Sequence, residues 1–385
     1  MRLMLPANAN SMSRPIITGT GLYHPENVIT NDELVKSYNA FADKHNAENA
    51  AKIARGEAAE LQHSSTEFIE RASGIKQRYV EEKEGILDID RMLPRIRTRN
   101  DDELSLMAEY GYKAGKQAIE AAGLQPEDID LVICAASNFE RPYPAIAVEV
   151  QEALGCTNAY GYDMNVACSS ATFGLDAAQN QIRSGQVKRA LMINPELCTC
   201  HLNFENRDCH FIFGDVCTAV VLESDKEAAN KEGWEILSTK CQTKFSRNVR
   251  NDFGYMHIVE TPQRTGWDNL FKQNGRQVFR EVCPMVANLI KDHLEENNLT
   301  TDDMARYWLH QANEHMNSHV TKALTGGEID RVRAPLVLDE FANTAAAGSI
   351  IAFHRHQDGL VKGQKGIICS FGAGYSAGSI LVERV

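Results

Sequence analysis

The chain has 385 residues, which suggests either two domains or one large domain made of two similar halves. Its content of 43% hydrophobic and 24% charged residues is ordinary for a globular protein with a sizeable core. Forty Lys and Arg against 52 Asp and Glu give a net charge of −12, which disfavours broad binding to nucleic acid or to anionic membranes. Only a local basic patch for an anionic ligand remains compatible with this balance.

Residues 1–14 are expected to form an N-terminal extension, and the true start codon is left open. The apolar stretch Leu3–Leu5 is too short for a signal peptide. No run approaches the roughly 18 apolar residues that a membrane helix needs. The ten cysteines include no CxxC pair, and several lie in apolar runs, which is typical of free thiols in a reducing compartment. We therefore expect a cytoplasmic protein.

Strand-like and helix-like segments alternate along the chain. Residues 15–25 are predicted to form a strand, residues 32–62 a weakly periodic helical region, and residues 81–102 a charged surface loop. The next elements are predicted in this order: helix 103–122, strand 130–137, helix 144–154, strand 160–166, helix 168–184 and strand 189–194. Such alternation indicates an α/β layered fold.

The second part of the chain repeats the pattern of the first. The run IDLVICAASN at 129–138 resembles MARYWLHQAN at 304–313, and each precedes a helical segment that ends in glycine. A helix that opens with small residues follows in both places, and each then leads into an apolar strand. These matches predict one strand–helix–strand–helix–strand unit used twice, with halves at 15–225 and 226–385.

The spacing inside the two halves is the strongest part of this repeat. Thirty residues separate Asn138 from Cys168, and thirty also separate Asn313 from Asn343. His310 ends the strand that precedes Asn313. Cys168, His310 and Asn343 are therefore expected at the ends of repeated elements, where α/β folds carry their sites.

Each of these three residues has a structural interpretation beside the catalytic one. A position at a helix N-terminus would lower the pKa of the Cys168 thiol and favour a nucleophile, although buried cysteines are usually inert. His310 could be a satisfied core histidine, and Asn343 could be a helix N-cap. Their shared placement in the repeat favours catalysis for all three.

Other motifs do not predict chemistry of their own. SFGAGYSAGS at 370–379 has no helix after it, so it is interpreted as a glycine turn between two closing strands rather than a dinucleotide site. The cysteines and histidines at 198–210 match no usual zinc spacing. His354 and His356 would point to nearly opposite faces of a helix, so they could not share a metal ion.

Four motifs together carry a resemblance to a known family. NVACSSATFGL, WLHQAN, FANTAAAGS and SFGAGYSAGS resemble the β-ketoacyl-acyl carrier protein synthase III family of the thiolase superfamily, and the likeness runs from Ile16 to Val382. The family implies a thiolase-like fold, in which duplicated βαβαβ halves form a five-layered α-β-α-β-α core. It also implies an acyltransferase that initiates fatty-acid synthesis by decarboxylative Claisen condensation with malonyl-acyl carrier protein.

The resemblance also implies roles for individual residues. Cys168 would carry the acyl group, and His310 and Asn343 would hold the malonyl thioester carbonyl. The N–H groups of Cys168 and Ala373 would form the oxyanion hole. Further substrate-binding positions are carried over, and Tyr143 among them would reach into the partner's tunnel in a homodimer: Phe68, Arg71, Tyr143, Arg207, Asn313 and His315.

This chain departs from the family at the nucleotide clamp. Phe68 and Ala72 stand where the family has Trp and Arg, Arg71 lies one residue early, and His315 replaces a frequent Arg. Only Arg207 matches the clamp. The chain is also longer, chiefly through insertions at about 40–62 and 81–102. We therefore expect a donor that is not held in the usual coenzyme A manner and a primer longer than acetyl.

The expected partners are acyl carrier protein, acyl-coenzyme A and a second copy of the chain, with no cofactor, metal, nucleic acid or membrane. Arginines in the second insertion could form a docking patch for an anionic partner, although a solvated loop face is the preferred interpretation. Three alternatives stay open: a related thiolase-fold condensing enzyme of secondary metabolism, a cysteine hydrolase, since Cys, His and Asn also follow the papain-like order, and a non-catalytic partner subunit.

Overall fold

The computed structural model describes residues 12–228, 231–252, 270–327 and 330–385, so most of the predicted N-terminal extension lies outside the described residues. The strands of this part of the chain are β1 (Pro15–Tyr23), β2 (Val28–Thr30), β3 (Gln77–Tyr79), β4 (Leu131–Ala135), β5 (Tyr160–Met164), β6 (Arg189–Leu197), β7 (Asp215–Ser224), β8 (Trp234–Thr243), β9 (Val249–Arg250), β10 (Lys272–Gln273), β11 (Met304–Leu309), β12 (Lys365–Gly372) and β13 (Ser376–Arg384). The helices are α1 (Asn31–Glu48), α2 (Ala50–Ala54), α3 (Thr66–Ser73), α4 (Glu84–Leu87), α5 (Leu106–Ala121), α6 (Ile146–Leu154), α7 (Ser170–Arg183), α8 (Gly275–Glu296), α9 (Glu314–Thr325), α10 (Leu338–Phe341) and α11 (Gly348–Arg355).

Nine of these strands are hydrogen-bonded into one continuous sheet. Their order is β11-β12-β13-β8-β1-β7-β6-β4-β5. Strand β1 joins the two halves, because it pairs with β7 along most of its length and with β8 at Ile16 and Ile17. Parallel pairing occurs where a helix connects the strands, in β4 with β5, β4 with β6 and β11 with β12.

Side-chain alternation along the strands separates the core into layers. On β4, Leu131 and Ile133 pack into a central cluster that contains residues of α7 and α11. The intervening Val132 and Cys134 face the opposite way, toward α5 and α6. In the second half the same alternation directs β12 toward the central helices on one face and toward α8 and α9 on the other. Two outer helical layers, two sheet halves and one central helical layer result, which confirms the expected thiolase-like fold.

The predicted repeat is regular in the first half and less regular in the second. The observed β4, α6, β5, α7 and β6 each fall within two or three residues of their predicted bounds. In the second half, described residues 330–337 contain no regular strand, although the Tyr307 N–H donates to the Arg333 carbonyl beside β11 at 2.8 Å. Pro335 lies in this stretch and has no N–H for a strand ladder.

The second insertion packs against α1 rather than standing free in solvent. Residues 81–102, predicted as a surface loop, contain the short helix α4 and the fully buried Ile86, which packs in one cluster with Leu34 and Tyr38 of α1. The Ser37 hydroxyl donates to the Leu87 carbonyl at 2.9 Å. The loop prediction is therefore wrong for 84–87, because apolar side chains there fill the underside of α1.

The arginines of the second insertion are occupied within the chain. Arg95 pairs with Asp88, Arg97 with Glu103 and Arg99 with Glu109, while Arg91 donates to backbone carbonyls. These contacts favour the solvated loop face over a docking patch, in agreement with the interpretation preferred from the sequence.

Candidate active site

Cys168 lies in a tight turn between β5 and α7. The turn Ala167–Ser169 is a single 3-10 turn, and α7 begins two residues after the cysteine, at Ser170. Ala167 has a left-handed backbone with φ of 49°. The hairpin of β12 and β13 packs directly on this turn, and a Cβ atom on Gly372 would approach the Cys168 sulfur to 2.9 Å. The glycine turn predicted at 370–379 is thus observed, and glycine is needed there for close approach.

The pKa of the Cys168 thiol is shifted in the direction opposite to the one predicted from the sequence. Burial raises the pKa of Cys168 to about 12, and the nearby Glu196 adds to this effect. The backbone N–H groups of Ala373 and of Cys168 itself act in the other direction because they hydrogen-bond to the sulfur. The predicted lowering is wrong because loss of water outweighs the partial charge of the helix terminus. In the structure without substrate, the Cys168 thiol is therefore neutral at physiological pH.

His310 lies directly after β11 and is buried. Its backbone N–H donates to the Cys369 carbonyl at 2.8 Å, and its ring packs edge-on against Phe371. Burial lowers the pKa of His310 to about 4, so the imidazole is neutral at physiological pH. The Nδ1 atom is buried without a hydrogen-bond partner, which leaves Nε2 as the ring nitrogen available to a bound molecule.

Asn343 lies in the segment between α10 and α11. Its backbone N–H donates to the Ile212 carbonyl, and its own carbonyl accepts from the Gly214 N–H. The side-chain Oδ1 accepts from the Ala345 N–H at 2.9 Å and so supports the following turn, whose N-cap position is Thr344 rather than Asn343. The same bond orients the amide so that its NH₂ group remains for another acceptor. Support of this turn and a catalytic role are therefore compatible here.

These three side chains line one cavity of about 270 Å³. Most of the remaining lining is apolar and aromatic, and the residues are Phe68, Ala72, Ser73, Asp208, Phe211, Ile212, Phe213, Val249, Phe271, Gln273, Gly275, Val278, Phe279, Val282, Ala312, Asn313, Met316, Phe371, Gly372 and Ala373. Asp208, Gln273 and Gly275 are exposed, whereas His310 and Asn343 are buried. We call Cys168, His310 and Asn343 the cavity floor. The cavity runs from the surface down to this floor, and the structure brings the predicted Ala373, Phe68 and Asn313 to its wall.

The other predicted residues, Arg71, Arg207 and His315, do not line the cavity but are neighbours of residues that do. Together with Phe68 of the wall, we call them the cavity mouth. The Arg207 guanidinium stacks over the Phe68 ring at 3.9 Å, and its Nε donates to the His63 carbonyl at 2.7 Å. The end of the first insertion thus holds Arg207 against Phe68, and the two clamp positions contact each other.

Helix α9 is joined to α3 by two side chains of its first turn. The Asn313 amide donates to the Ala72 carbonyl at 2.7 Å, and His315 Nε2 donates to the Arg71 carbonyl, also at 2.7 Å. Asn313 also caps α9 through the His315 N–H. Both residues were predicted to bind substrate. In the structure, His315 joins the two helices that form the mouth.

Tyr143 does not reach this cavity within the chain. Its side chain is 75% exposed, and it is absent from the lining. The prediction that it enters a partner's tunnel concerns a second copy of the chain and stays a prediction.

No cluster of three metal-ligating side chains occurs within the described ranges. His354, one of the candidates considered, is bonded through Nδ1 to the Thr20 hydroxyl instead. In the same part of the chain, no helix is both long enough and apolar enough to cross a membrane.

One buried acid near Cys168 was missed by the sequence analysis. Glu196 is the penultimate residue of β6 and is 1% exposed. Burial raises its pKa to about 7. A carboxylate at the end of an otherwise apolar strand, ALMINPEL, was the only local signal that could have pointed to it.

Family models match both halves of the chain. Residues 162–244 match the model described as 3-oxoacyl-[acyl-carrier-protein (ACP)] synthase III, and residues 294–384 match the corresponding C-terminal model. The first match contains Cys168, and the second contains His310 and Asn343.

Individual proteins match over almost the whole chain. A β-ketodecanoyl-[acyl-carrier-protein] synthase of Pseudomonas aeruginosa is 51% identical over 350 residues, which cover 91% of this chain and 100% of that protein. A β-ketoacyl-[acyl-carrier-protein] synthase III of Ehrlichia canis is 28% identical and covers 97% of this chain and 100% of its own. The crystal structure of 3-oxoacyl-[acyl-carrier-protein] synthase III from Aquifex aeolicus superposes with a TM-score of 0.75 at 24% identity, over 96% of this chain and 99% of that one.

Proposed function

This chain belongs to the 3-oxoacyl-[acyl-carrier-protein] synthase III family and is therefore an acyltransferase of the condensing type that initiates fatty-acid synthesis, and we propose that it joins a medium-chain acyl primer to malonyl-acyl carrier protein through an acylated Cys168. The observation that carries this proposal is the meeting of Cys168, His310 and Asn343 on one cavity floor. Family membership disfavours the cysteine hydrolase and the non-catalytic subunit considered from the sequence.

The first proposed step is transfer of the acyl group to Cys168. The sulfur attacks the thioester carbonyl, the bond between that carbon and the donor sulfur breaks, and the donor leaves as a thiol that takes the cysteine proton. Because the pKa of Cys168 is raised to about 12, this proton must leave during the attack. The N–H groups of Cys168 and Ala373, which bond to the sulfur in the free protein, are placed to stabilise the oxyanion.

The second proposed step is decarboxylation of the malonyl thioester. The bond to the carboxylate breaks, carbon dioxide leaves, and the electron pair forms an enolate whose oxygen needs hydrogen-bond donors. The neutral imidazole of His310 and the amide of Asn343 supply donors without a competing positive charge. The enolate carbon then attacks the acyl group on Cys168, whose sulfur leaves and regains a proton. This chemistry calls for no resident cofactor.

The length of the primer is inferred from a relative and from the mouth. A β-ketodecanoyl product, as in the name of the Pseudomonas aeruginosa protein, has ten carbons, and this condensation adds two, so we infer an eight-carbon primer for this chain. The contact between Phe68 and Arg207 leaves no gap for a nucleotide base between them. This supports a donor that is not clamped in the usual coenzyme A manner.

Recognition of the carrier protein is proposed at the start of α8. Gly275 and Gln273 line the cavity beside this helix, and Arg276 and Arg280 are exposed on its first turns. Neither arginine forms an ion pair with any residue that the structure describes. In a chain of net charge −12, they provide a local positive surface for the phosphate-bearing arm of an acidic carrier.

A homodimer is proposed from the edge of the sheet. Among the described strands, β5 has a partner on one side only, and the exposed Tyr143, Val148 and Tyr160 lie on or near it. An unpaired edge with apolar neighbours favours pairing with a second copy. Sedimentation should show a dimer at micromolar concentration. A fully active monomer would contradict this part of the proposal.

One experiment tests the proposed function. Purified protein is incubated with octanoyl or acetyl thioesters, each bound to coenzyme A or to the carrier, and acylation of Cys168 is measured by intact mass and peptide mapping. Release of labelled carbon dioxide from malonyl-acyl carrier protein is measured in parallel. We expect octanoylated Cys168 and primer-dependent release of carbon dioxide. Acyl transfer to water without release of carbon dioxide would indicate a hydrolase, and a strong acetyl-coenzyme A preference would refute the medium-chain primer.

A further inference from the structure

The buried carboxyl group of Glu196 lies between the two turns that carry reacting side chains. Its Oε1 accepts from the Ser137 N–H at 2.9 Å and from the Ala346 N–H at 3.2 Å. Its Oε2 accepts from the Ser137 hydroxyl and, at 3.7 Å, from the Cys198 thiol. Both carboxyl oxygens are therefore used, and two of the three partner residues, Ser137 and Ala346, come from distant segments of the chain.

One of these bonds leads to the Cys168 turn. The Ser137 carbonyl accepts from the Asn165 amide at 3.1 Å, and the Asn165 Oδ1 accepts from the Ala167 N–H at 3.0 Å. Ala167 is the residue immediately before Cys168. A continuous series of hydrogen bonds thus runs from Glu196 through Ser137 and Asn165 to the nucleophile turn.

The other bond leads to the Asn343 turn. Ala346 lies in the 3-10 turn Ala345–Ala347, which follows Asn343. The Ala345 N–H in the same turn donates to Asn343 Oδ1. Glu196 therefore holds the Ala345–Ala347 turn, and this turn orients the Asn343 amide.

Both turns contain strained backbone. Ala167 has a φ of 49° and Ala345 a φ of 45°, in the left-handed region that alanine rarely adopts. Such conformations persist only where surrounding contacts enforce them. The bonds that radiate from Glu196 are contacts of this kind, since they attach to Ala346 directly and to Ala167 through Asn165.

Glu196 has no basic partner within the described residues, and the groups that face it are neutral. Cys134 from β4, Cys217 from β7, Cys198 and Cys168 are thiols, and burial raises the pKa of each one. The next acid, Asp215 on β7, is bonded to Thr199 and to the Glu81 N–H. A buried acid without a cation is costly in stability, which favours a role in the site.

We propose that Glu196 is a positioning residue for the condensation, which holds the Cys168 turn and the Asn343 turn in register through Ser137 and Ala346. The proposal rests on the proposed function, because the two turns act together only in that reaction. Glu196 touches no substrate atom in this scheme. When ionised, its charge also opposes formation of the Cys168 thiolate.

Two substitutions separate the effect of the Glu196 hydrogen bonds from the effect of its charge. Glu196→Ala removes every acceptor and leaves the Ala346 and Ser137 N–H groups unsatisfied. Glu196→Gln keeps an acceptor oxygen and the side-chain shape but carries no charge. Glu223→Gln is the matched control, because Glu223 is also fully buried and lies on β7 near the opposite end of its pairing with β6. It contacts neither turn.

For Glu196→Ala we expect both Cys168 acylation and carbon dioxide release to fall at least tenfold in kcat, with KM changed less than threefold, because unsatisfied buried groups let the turns move. For Glu196→Gln we expect both rates to stay within about threefold of wild type. Its alkylation rate at Cys168 should rise about threefold or more at pH 8.5, because loss of the Glu196 charge lowers the pKa of the thiol. Glu223→Gln should alter none of these values.

Several results would overturn the proposal. One is a folded Glu196→Ala variant with wild-type kcat in both half-reactions, and another is a loss no larger than in Glu223→Gln. If Glu196→Ala fails to fold, an unchanged alkylation profile in Glu196→Gln refutes the link to Cys168. Failure of the proposed function itself would be seen separately, as wild-type protein that neither acylates Cys168 nor releases carbon dioxide. The alkylation readout needs no substrate and is unaffected by that failure.

Discussion

The floor and the mouth of the cavity are held in place by different kinds of contact. On the floor, the backbone groups of His310 and Asn343 are themselves hydrogen-bonded to neighbouring strands and turns. Their partners are the backbone groups of Cys369, Ile212 and Gly214. At the mouth, Arg207 is held by stacking on Phe68 and by one bond to an insertion. Floor geometry is thus enforced by the core itself, whereas the mouth depends on contacts between side chains. We infer that the chemistry resides in the floor and that substrate choice is adjusted at the mouth.

The largest expected effect comes from removing the nucleophile. Cys168→Ala should abolish the acylated protein, because the other described cysteines do not line the cavity. Intact mass after exposure to an octanoyl thioester measures this. Cys241→Ala, at an exposed cysteine away from the cavity, is the matched control and should acylate normally. Residual acylation mapped to another cysteine in Cys168→Ala would refute the assignment.

The next largest effect separates the two steps on the floor. His310→Ala and Asn343→Ala should each lower carbon dioxide release about 10²–10³-fold, since each removes one donor to the enolate oxygen. Both variants should still form acylated Cys168. Cys168→Gln provides the complementary control, because it should release carbon dioxide without condensing. Wild-type decarboxylation in Asn343→Ala would mean that Asn343 only supports the turn at Ala345.

A smaller effect tests the pKa of the floor histidine. Because burial lowers the pKa of His310 to about 4, the imidazole stays neutral between pH 5.5 and 6.5. Decarboxylation by Cys168→Gln should therefore change less than about twofold over this range, whereas a histidine with the ordinary pKa near 6.5 would gain about fivefold in its neutral form. A fivefold rise would show that His310 is solvated. Circular dichroism at both pH values checks that the variant remains folded.

The smallest effect is expected at the mouth. Arg207→Ala should raise the KM for a coenzyme A-bound primer only about two- to fivefold and leave kcat unchanged, because Arg207 stacks on Phe68 within the protein instead of clamping the donor. Arg71→Ala is the matched control on α3, because its carbonyl rather than its side chain makes the contact with His315. A decrease of several hundredfold in kcat/KM for the coenzyme A-bound primer in Arg207→Ala would show that a coenzyme A clamp exists. The inferred difference between the floor and the mouth would then be wrong.

Much of the fold was predictable from sequence because its signals are local. Apolar runs and glycine punctuation located β4, α6, β5, α7 and β6 to within a few residues. The equal spacing of Cys168 and Asn343 within the two halves predicted that they would meet, and they do. Regular elements and their repetition depend on the periodicity of side chains along the chain, which can be read without a structure.

Tertiary packing alone decided the electrostatics and the contacts at the mouth. The helix start at Cys168 predicted a lowered pKa, but burial beside Glu196 raises it. Beyond its place at the end of an apolar strand, Glu196 shows no pattern in the sequence, because its partners Ser137 and Ala346 are 59 and 150 residues away. Arg207 stacks on Phe68 and bonds to the His63 carbonyl, contacts that join residues far apart in the chain. Desolvation and long-range hydrogen bonds depend on which segments surround a group in space, and local sequence carries no record of that.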